Sequence, residues 1–330
     1  MSDIKTKKKS NISNSLNNTN IYYDSDDEKN ISDVKKGPGR PRKNPKKDPI
    51  PRKGIVLKPT KPEYVVEFLY DLPIIIKKII SFLKSIAASQ IQIIFRPDDI
   101  IIYTTDHLKK SRIRVRIDPS KINHYYCSEV IDIGINCKDL ENIMNNIDRD
   151  YNSIILLSTT GNTKKNITIV LETEIQIDEI HTIDLIGQYD VMEDEEEFTN
   201  EDYKIKFTLP GKYFRKTIND LKSIKKLSIQ KEDEESPLEF AYISNNKKRK
   251  SKHVFNNYDK INFVNNLQEG ETFRVDVKID YLKPISSGNV AEDITIMVDE
   301  NKKIMTKSFI DGETIEIKTL TTIIDYRMDE

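Results

Sequence analysis

The sequence predicts an α+β protein made of two tandem copies of one domain, preceded by a disordered basic tail. Three observations predict this. The tetrapeptide Leu-Lys-Ser-Ile stands at Leu83–Ile86 and again at Leu221–Ile224, with Lys77-Lys78 and Arg215-Lys216 at the same distance before each copy. A Leu-Pro pair (Leu72-Pro73, Leu209-Pro210) and a strand-like run (Tyr64–Phe68, Tyr203–Phe207) lie upstream both times. Each half then reads strand, helix, strands, helix, strands, an order that suits a sheet carrying both helices on one face.

The elements follow in chain order. Residues 1–63 are dominated by Asn, Ser, Lys and Pro, a composition that buries too little apolar surface to offset chain entropy. The first domain is placed at 64–183. Pro73 suits a first helical turn with Asp71 as its cap, and Ile75, Ile76, Ile79, Ile80, Leu83 and Ile86 recur at helical spacing. Strands are expected at Ile91–Phe95, Ile100–Thr104 and Arg112–Ile117. The last alternates Arg112, Arg114 and Arg116 with Ile113, Val115 and Ile117, the pattern of a half-buried strand. A second helix over Lys138–Ile147 and strands at Ser153–Ser158 and Asn166–Thr173 complete the domain.

Residues 184–202 form a connector. It starts apolar around Ile183, Leu185 and Ile186 and becomes acidic at Glu193–Glu197, with the acidic half expected to be a solvated spacer. The second domain occupies 203–330. Its first helix puts Phe214, Ile218, Leu221 and Ile224 on one stripe and Lys212, Arg215, Lys216, Asn219 and Lys222 on the other. Strands at Leu227–Gln230 and Leu238–Ile243, a basic loop at Lys247–Lys250 and a strand at Thr272–Val277 follow. A short helix around Ile279–Ile285 and strands at Asp293–Val298, Lys303–Phe309 and Thr314–Asp325 end the chain.

Net charge is −1 over 330 residues, but the charge is segregated. Eleven Lys or Arg face one acid between Lys35 and Lys61, and eight acids face no base between Asp190 and Tyr203. Blocks of this kind are solvated or bind partners. Both repeats keep cations on the polar stripe of the first helix, where a merely solvated face would mix signs for i,i+4 pairing; selective positive charge suits phosphates. Gly37-Pro38-Gly39-Arg40-Pro41-Arg42-Lys43 resembles an AT-hook, in which Arg40 and Arg42 would enter the narrow minor groove of A·T tracts. A basic linker is the plainer reading of the same residues.

Several classes find no support. Cys127 and Cys137 match neither a disulfide scaffold nor a zinc spacing. No apolar run approaches the roughly 20 residues a membrane helix needs, and the N-terminus lacks a secretory apolar region. His107, His124, His181 and His253 are scattered, and no Gly-rich phosphate loop, nucleophile elbow or metalloprotease helix occurs. The expectation is a protein without catalytic residues, metal or cofactor, in a reducing compartment and not secreted.

The doubled domain, basic helices and connector together resemble the sliding clamp of DNA replication, the proliferating cell nuclear antigen family. The residues that carry the resemblance are Phe82–Ile86, Thr105-Asp106-His107-Leu108, Ile183-Asp184-Leu185, Lys204–Asp220 and Phe273–Leu282. It implies a closed ring, commonly a homotrimer, with antiparallel sheets outside and two helices per domain lining a hole around duplex DNA. Lys77, Lys78, Lys84, Lys212, Arg215, Lys216 and Lys222 would then face the hole, with Lys138, Arg149, Lys278 and Lys283 as weaker candidates. The resemblance also implies a DNA polymerase, a clamp-loader ATPase, and peptide-motif partners such as nucleases and ligase. Their groove would involve His107-Leu108, Ile186-Gly187, and Ile323 with Asp325 and Tyr326. The sequence departs from the family there: the connector is shorter between Leu185 and Gly187, and Asp325 and Tyr326 replace the usual small residue and proline. Three other readings stay open: a checkpoint or repair clamp subunit, a monomeric processivity factor, and an AT-hook architectural protein.

Overall fold

The computed structural model describes residues 52–322, apart from 87, 107–109, 149–150, 160–164, 174–177, 188, 190–194, 200–202, 234, 244–249, 256–261, 266, 268–269, 289–290 and 300–302. The first half runs β1 (Tyr64–Tyr70), α1 (Pro73–Ser85), β2 (Gln90–Phe95), β3 (Ile100–Thr105), β4 (Ser111–Ile117), β5 (His124–Cys127), β6 (Ile131–Asn136), α2 (Cys137–Asn146), β7 (Tyr151–Thr159), β8 (Asn166–Thr173) and β9 (Asp178–Asp184). A short helix, α3 (Glu195–Thr199), intervenes. The second half repeats the order: β10 (Ile205–Pro210), α4 (Gly211–Asp220), β11 (Lys226–Lys231), β12 (Leu238–Ile243), β13 (Lys250–Phe255), β14 (Asn262–Asn265), β15 (Phe273–Lys278), α5 (Ile279–Gly288), β16 (Asp293–Val298), β17 (Lys303–Ile310) and β18 (Ile315–Thr322).

The pairing repeats as faithfully as the order. Strands β5-β1-β7-β8-β9 form one sheet, and β14-β10-β16-β17-β18 have the same arrangement in the second half. Likewise β4-β3-β2-β6 matches β13-β12-β11-β15. One junction breaks the symmetry: β18 pairs antiparallel with β4, fusing a five-stranded and a four-stranded sheet into nine strands. That junction aligns Ile315 with Ile117, Ile317 with Val115 and Thr319 with Ile113. The corresponding strands β9 and β13 are each left at a sheet edge.

Two apolar cores lie between sheets and helices. The first takes Ile76, Ile79, Ile80 and Leu83 from α1 and Leu140 and Met144 from α2, against Ile91, Ile93, Val115 and Ile317 of the sheets. The second takes Phe214, Ile218 and Leu221 against Phe207, Leu227, Ile229 and Val277. Each fully buried Ile, Leu or Phe contributes roughly 1.5–3 kcal/mol, so the helical stripes read from the sequence are what anchor the helices.

Local details differ from expectation. Leu72, not Asp71, is the N-cap of α1, and no side chain caps it; the Asp71 amide instead donates to Asn123 Oδ1 (2.9 Å). Pro73 at the start of the helix reduces the need for a cap, because it has no N–H to satisfy. Helix α4 ends at Asp220 with Leu221 as C-cap, so Lys222 lies in the following turn and not on the helix. Strands β5, β6, β9, β13 and β14 and helix α3 were not expected. The expected apolar start of the connector belongs partly to β9, where Ile183 is buried.

Candidate nucleic-acid interface and partner groove

The four longer helices form one continuous row. Helix α1 packs against α2 on one side and α5 on the other, and α5 packs against α4. The order α2-α1-α5-α4 therefore crosses the seam between the halves. Helices α1 and α2 run antiparallel: Lys77, near the start of α1, reaches the end of α2, donating to the carbonyls of Asn145 (3.0 Å) and Ile147 (2.6 Å).

The cations named from the sequence separate into groups. Lys78, Lys138, Lys212, Lys216 and Lys222 are exposed, and among the described residues no ion pair engages them. Lys84, Arg215 and Lys278 are half-buried. Lys77 satisfies carbonyls that α2 leaves open at its C-terminus, a staple between helices that also suits the negative end of the helix dipole. Lys283 pairs with Asp280 at 2.6 Å. Helix α1 carries Lys77, Lys78 and Lys84 with no acid, and α4 carries Lys212, Arg215 and Lys216 against Asp220 alone. In α2 and α5 the charges balance or turn negative: Lys138 sits beside Asp139 and Glu141, and Lys283 faces Asp280. The positive excess of the row thus belongs to α1 and α4. Arg149 lies outside the described residues, as do Arg40, Arg42 and Lys247–Arg249.

On the opposite side of the nine-stranded sheet runs the connector. The Ile186 amide donates to the Gly134 carbonyl on β6 (3.0 Å), forming an antiparallel bridge. Gly134 is required there: a Cβ would run into the Tyr189 ring and stand 2.8 Å from Ile186. Tyr189 Oη donates to Asp132 (2.9 Å), which also accepts from Gln92 Nε2 (2.9 Å). Burial, aided by the Asp132 carboxylate, pushes the Tyr189 phenol up to about 12. Gly187 is exposed, with open space where a side chain would stand.

The acidic half of the connector is not a plain solvated spacer. Phe198 of α3 is fully buried among Tyr103, Tyr203, Met297, Met305 and Leu320, meeting Tyr103 edge-to-face at 6.4 Å. Lys318 Nζ donates to the Phe198 carbonyl (2.9 Å), and the Glu197 carboxylate accepts from Lys303 (3.0 Å) and from Arg112. Burial opposes ionisation, but the Lys303 hydrogen bond and the Arg112 charge hold the Glu197 carboxyl below its ordinary range. On the Arg side of β4, Arg112 is half-buried and Arg114 only 7% exposed, while Arg116 stays exposed. The alternation expected for β4 holds in its buried Ile113, Val115 and Ile117 and exposed Arg116; the burial of Arg114 and the carboxylate that meets Arg112 from α3 leave no mark in the periodicity. The other groove candidates, His107, Leu108, Ile323, Asp325 and Tyr326, lie outside the described residues. Among the described residues, no three His, Cys, Asp or Glu side chains are grouped to hold a metal ion, and no helix is long and apolar enough to cross a membrane.

No family model matches the sequence. The chain is similar to an uncharacterized protein of African swine fever virus. It is 29% identical to the protein of the Pig/Kenya/KEN-50/1950 isolate over 304 residues, covering 88% of this chain and 99% of the relative. The relative from isolate Tick/Malawi/Lil 20-1/1983 is 28% identical over the same coverage. Among solved structures it is similar to the Proliferating Cellular Nuclear Antigen of Entamoeba histolytica. The TM-score is 0.66 at 11% identity, over 79% of this chain and 100% of that one. With the duplicated order of strands and the helices gathered in one row, the likeness establishes that the protein has a sliding-clamp fold like that of proliferating cell nuclear antigen.

Proposed function

We propose that the protein is a DNA sliding clamp: a ring that encircles duplex DNA and tethers a polymerase to it. The observation that carries this reading is the row α2-α1-α5-α4, whose excess of positive charge sits on equivalent helices of the two halves. In the ring, clamp domain 1 (64–183) and clamp domain 2 (203–330) alternate, joined by the connector (184–202). Edge strand β9 of one chain takes the place that β18 holds inside the chain, and β13 of the next takes that of β4. The proposed assembly is a homotrimer. Lys78, Lys84, Lys212, Arg215, Lys216 and Lys222 face the duplex, and Lys77, Lys138, Arg149, Lys278 and Lys283 contribute less.

Encirclement relaxes what each contact must do. A ring cannot leave its duplex sideways, so its phosphate contacts can be weak, exchangeable and sequence-independent, and the clamp slides. A clamp-loader ATPase opens it, and partner peptides of polymerase, nucleases and ligase dock beside the connector near Ile186, Gly187, His107, Leu108 and the strip containing Ile323, Asp325 and Tyr326. The Arg40–Arg42 segment adds a tether to A·T-rich duplex, and the protein acts in an intracellular compartment where DNA is replicated. The chain supplies no chemical step; its work is topological.

The test is retention on a nicked circular duplex after loading, followed by linearisation. A clamp stays on the circle and leaves when the circle is cut; equal retention on both forms refutes encirclement. The triple variant Lys78→Glu, Lys212→Glu and Lys216→Glu should lower retention about tenfold or more at low salt with an unchanged circular dichroism spectrum.

A further inference from the structure

Resting on the ring reading, we propose the register and chemistry of the joint between chains: a polar strand pairing in which Glu179 stands opposite His253 of the next copy, and Ile180 opposite its Lys252. The duplication supplies the register. Phe68 and Phe207 are equivalent, and their partners across the ladder are Leu156 and Ile296. Those pair in turn with Ile169 and Thr306, and these with His181 and Thr319. So His181 of β9 is the counterpart of Thr319 of β18.

The other edge follows in the same way. The Cys137 amide donates to the Ser89 carbonyl as the Ile279 amide does to that of Lys225, which makes Ile93 equivalent to Ile229. Their partners are Ile102 and Phe240, and the next partners are Val115 and His253. Inside the chain, Val115 faces Ile317 and Ile113 faces Thr319. Transferring those pairs to the open edges sets Glu179 against His253, His181 against Ser251 and Ile180 against Lys252.

Side-chain chemistry agrees with that register. Glu179 is held ready on β9 by Tyr151 Oη (2.6 Å) and lies 3.3 Å from His181 Nε2. His253 is stacked on Tyr242 with centroids 5.9 Å apart, and Lys252 pairs with Glu239 of its own chain. A carboxylate facing an imidazole across antiparallel strands can accept a hydrogen bond from the ring N–H, and cross-strand polar pairs of this kind stabilise the pairing. The two edges also expose apolar side chains, Ile180 at 69% and Val254 at 38%. A strand edge with open backbone groups and exposed apolar side chains is a template for another strand.

The test has two arms. Light scattering on the full-length chain first decides whether an oligomer exists; a monomer at every concentration defeats the ring reading itself. In a Cys127→Ser background, Ile180→Cys with Lys252→Cys should cross-link chains under mild oxidation, and the shifted pair Ile180→Cys with Val254→Cys should do so several-fold less. Glu179→Lys or His253→Glu alone should raise the dissociation constant about tenfold, and Glu179→Lys with His253→Glu should recover most of it. His253→Glu leaves the Tyr151 contact untouched, so it separates loss of the joint from damage to β9. An oligomer that both reversals leave intact, or that cross-links better through the shifted pair, overturns the register.

Discussion

The joint between β18 and β4 and the two open edges, β9 and β13, occupy the same place in the repeat but are built with opposite chemistry. At the internal joint Ile317 and Val115 face each other inside the first core, and Ile113 joins them there. At the equivalent positions of the open edges stand Glu179, His253 and Ser251. On its other face the internal joint is strapped by α3 through Phe198, Glu197 and Lys318. A junction made within one chain never faces water after folding, so apolar residues are its most stabilising content. An edge that meets water in the free chain has to remain soluble, which favours charge and hydroxyl groups there.

Mirrored substitutions break this comparison most severely. Val115→Asp places an unpaired carboxylate in the first core and should cost about 3 kcal/mol or more, a fall of roughly 6–12 °C in Tm. His253→Asp, the same change at the equivalent edge position, should leave the melting temperature nearly unchanged and affect assembly alone. Equal losses of Tm would erase the distinction between the two places.

The strap gives smaller effects. Gly134→Ala pushes a methyl into the Tyr189 ring and should cost about 1–3 kcal/mol, unless the connector peels away instead. Hydrogen exchange at the Ile186 amide distinguishes these, since peeling exposes that amide while the sheets keep their protection. Glu197→Gln weakens the pairing with Lys303 and Arg112 and should cost about 1 kcal/mol. Because the folded-state pKa of Glu197 is depressed, that contribution is complete above the ordinary glutamate range and is lost as the pH falls through the lower, folded value. Wild-type and Glu197→Gln melting curves should therefore converge in acid and differ at neutral pH; a gap that persists in acid would mean the strap does not depend on this charge.

The smallest effect sharpens the reading of the helix row. Lys77→Ala removes two hydrogen bonds to the end of α2 and should cost about 1 kcal/mol, whereas Lys78→Ala should not change stability measurably. In a DNA-retention assay the order should reverse, with Lys78 mattering more. If both variants behave alike in both assays, the two lysines share one role.

Helical spacing made the buried stripe of α1 legible, because Ile76, Ile79, Ile80 and Leu83 all point into one core. The stripe of α4 was legible too, although its last turn was overextended: Leu221 is buried from the C-cap, so burial alone kept the pattern running past the helix end. The short strands escaped. His124–Cys127 has four residues, Gly134 interrupts β6, and β9 is acid-rich because it is an edge. The acidic connector misled for a related reason, since Glu197 pairs with cations more than eighty residues away in sequence. Five of the seven candidate groove residues, His107, Leu108, Ile323, Asp325 and Tyr326, fall outside the described residues.

By itself the sequence determined the duplication, the α+β order and the amphipathic helices with their cations, since these are local patterns fixed by spacing and by side-chain polarity. Only the tertiary structure decided that four helices join in one row, that Lys77 is turned inward while Lys78 is not, and that β18 meets β4 while β9 and β13 stay open. Those outcomes depend on which strands pair at long range, and no periodicity carries that information: a ladder is chosen by the burial of both partners at once.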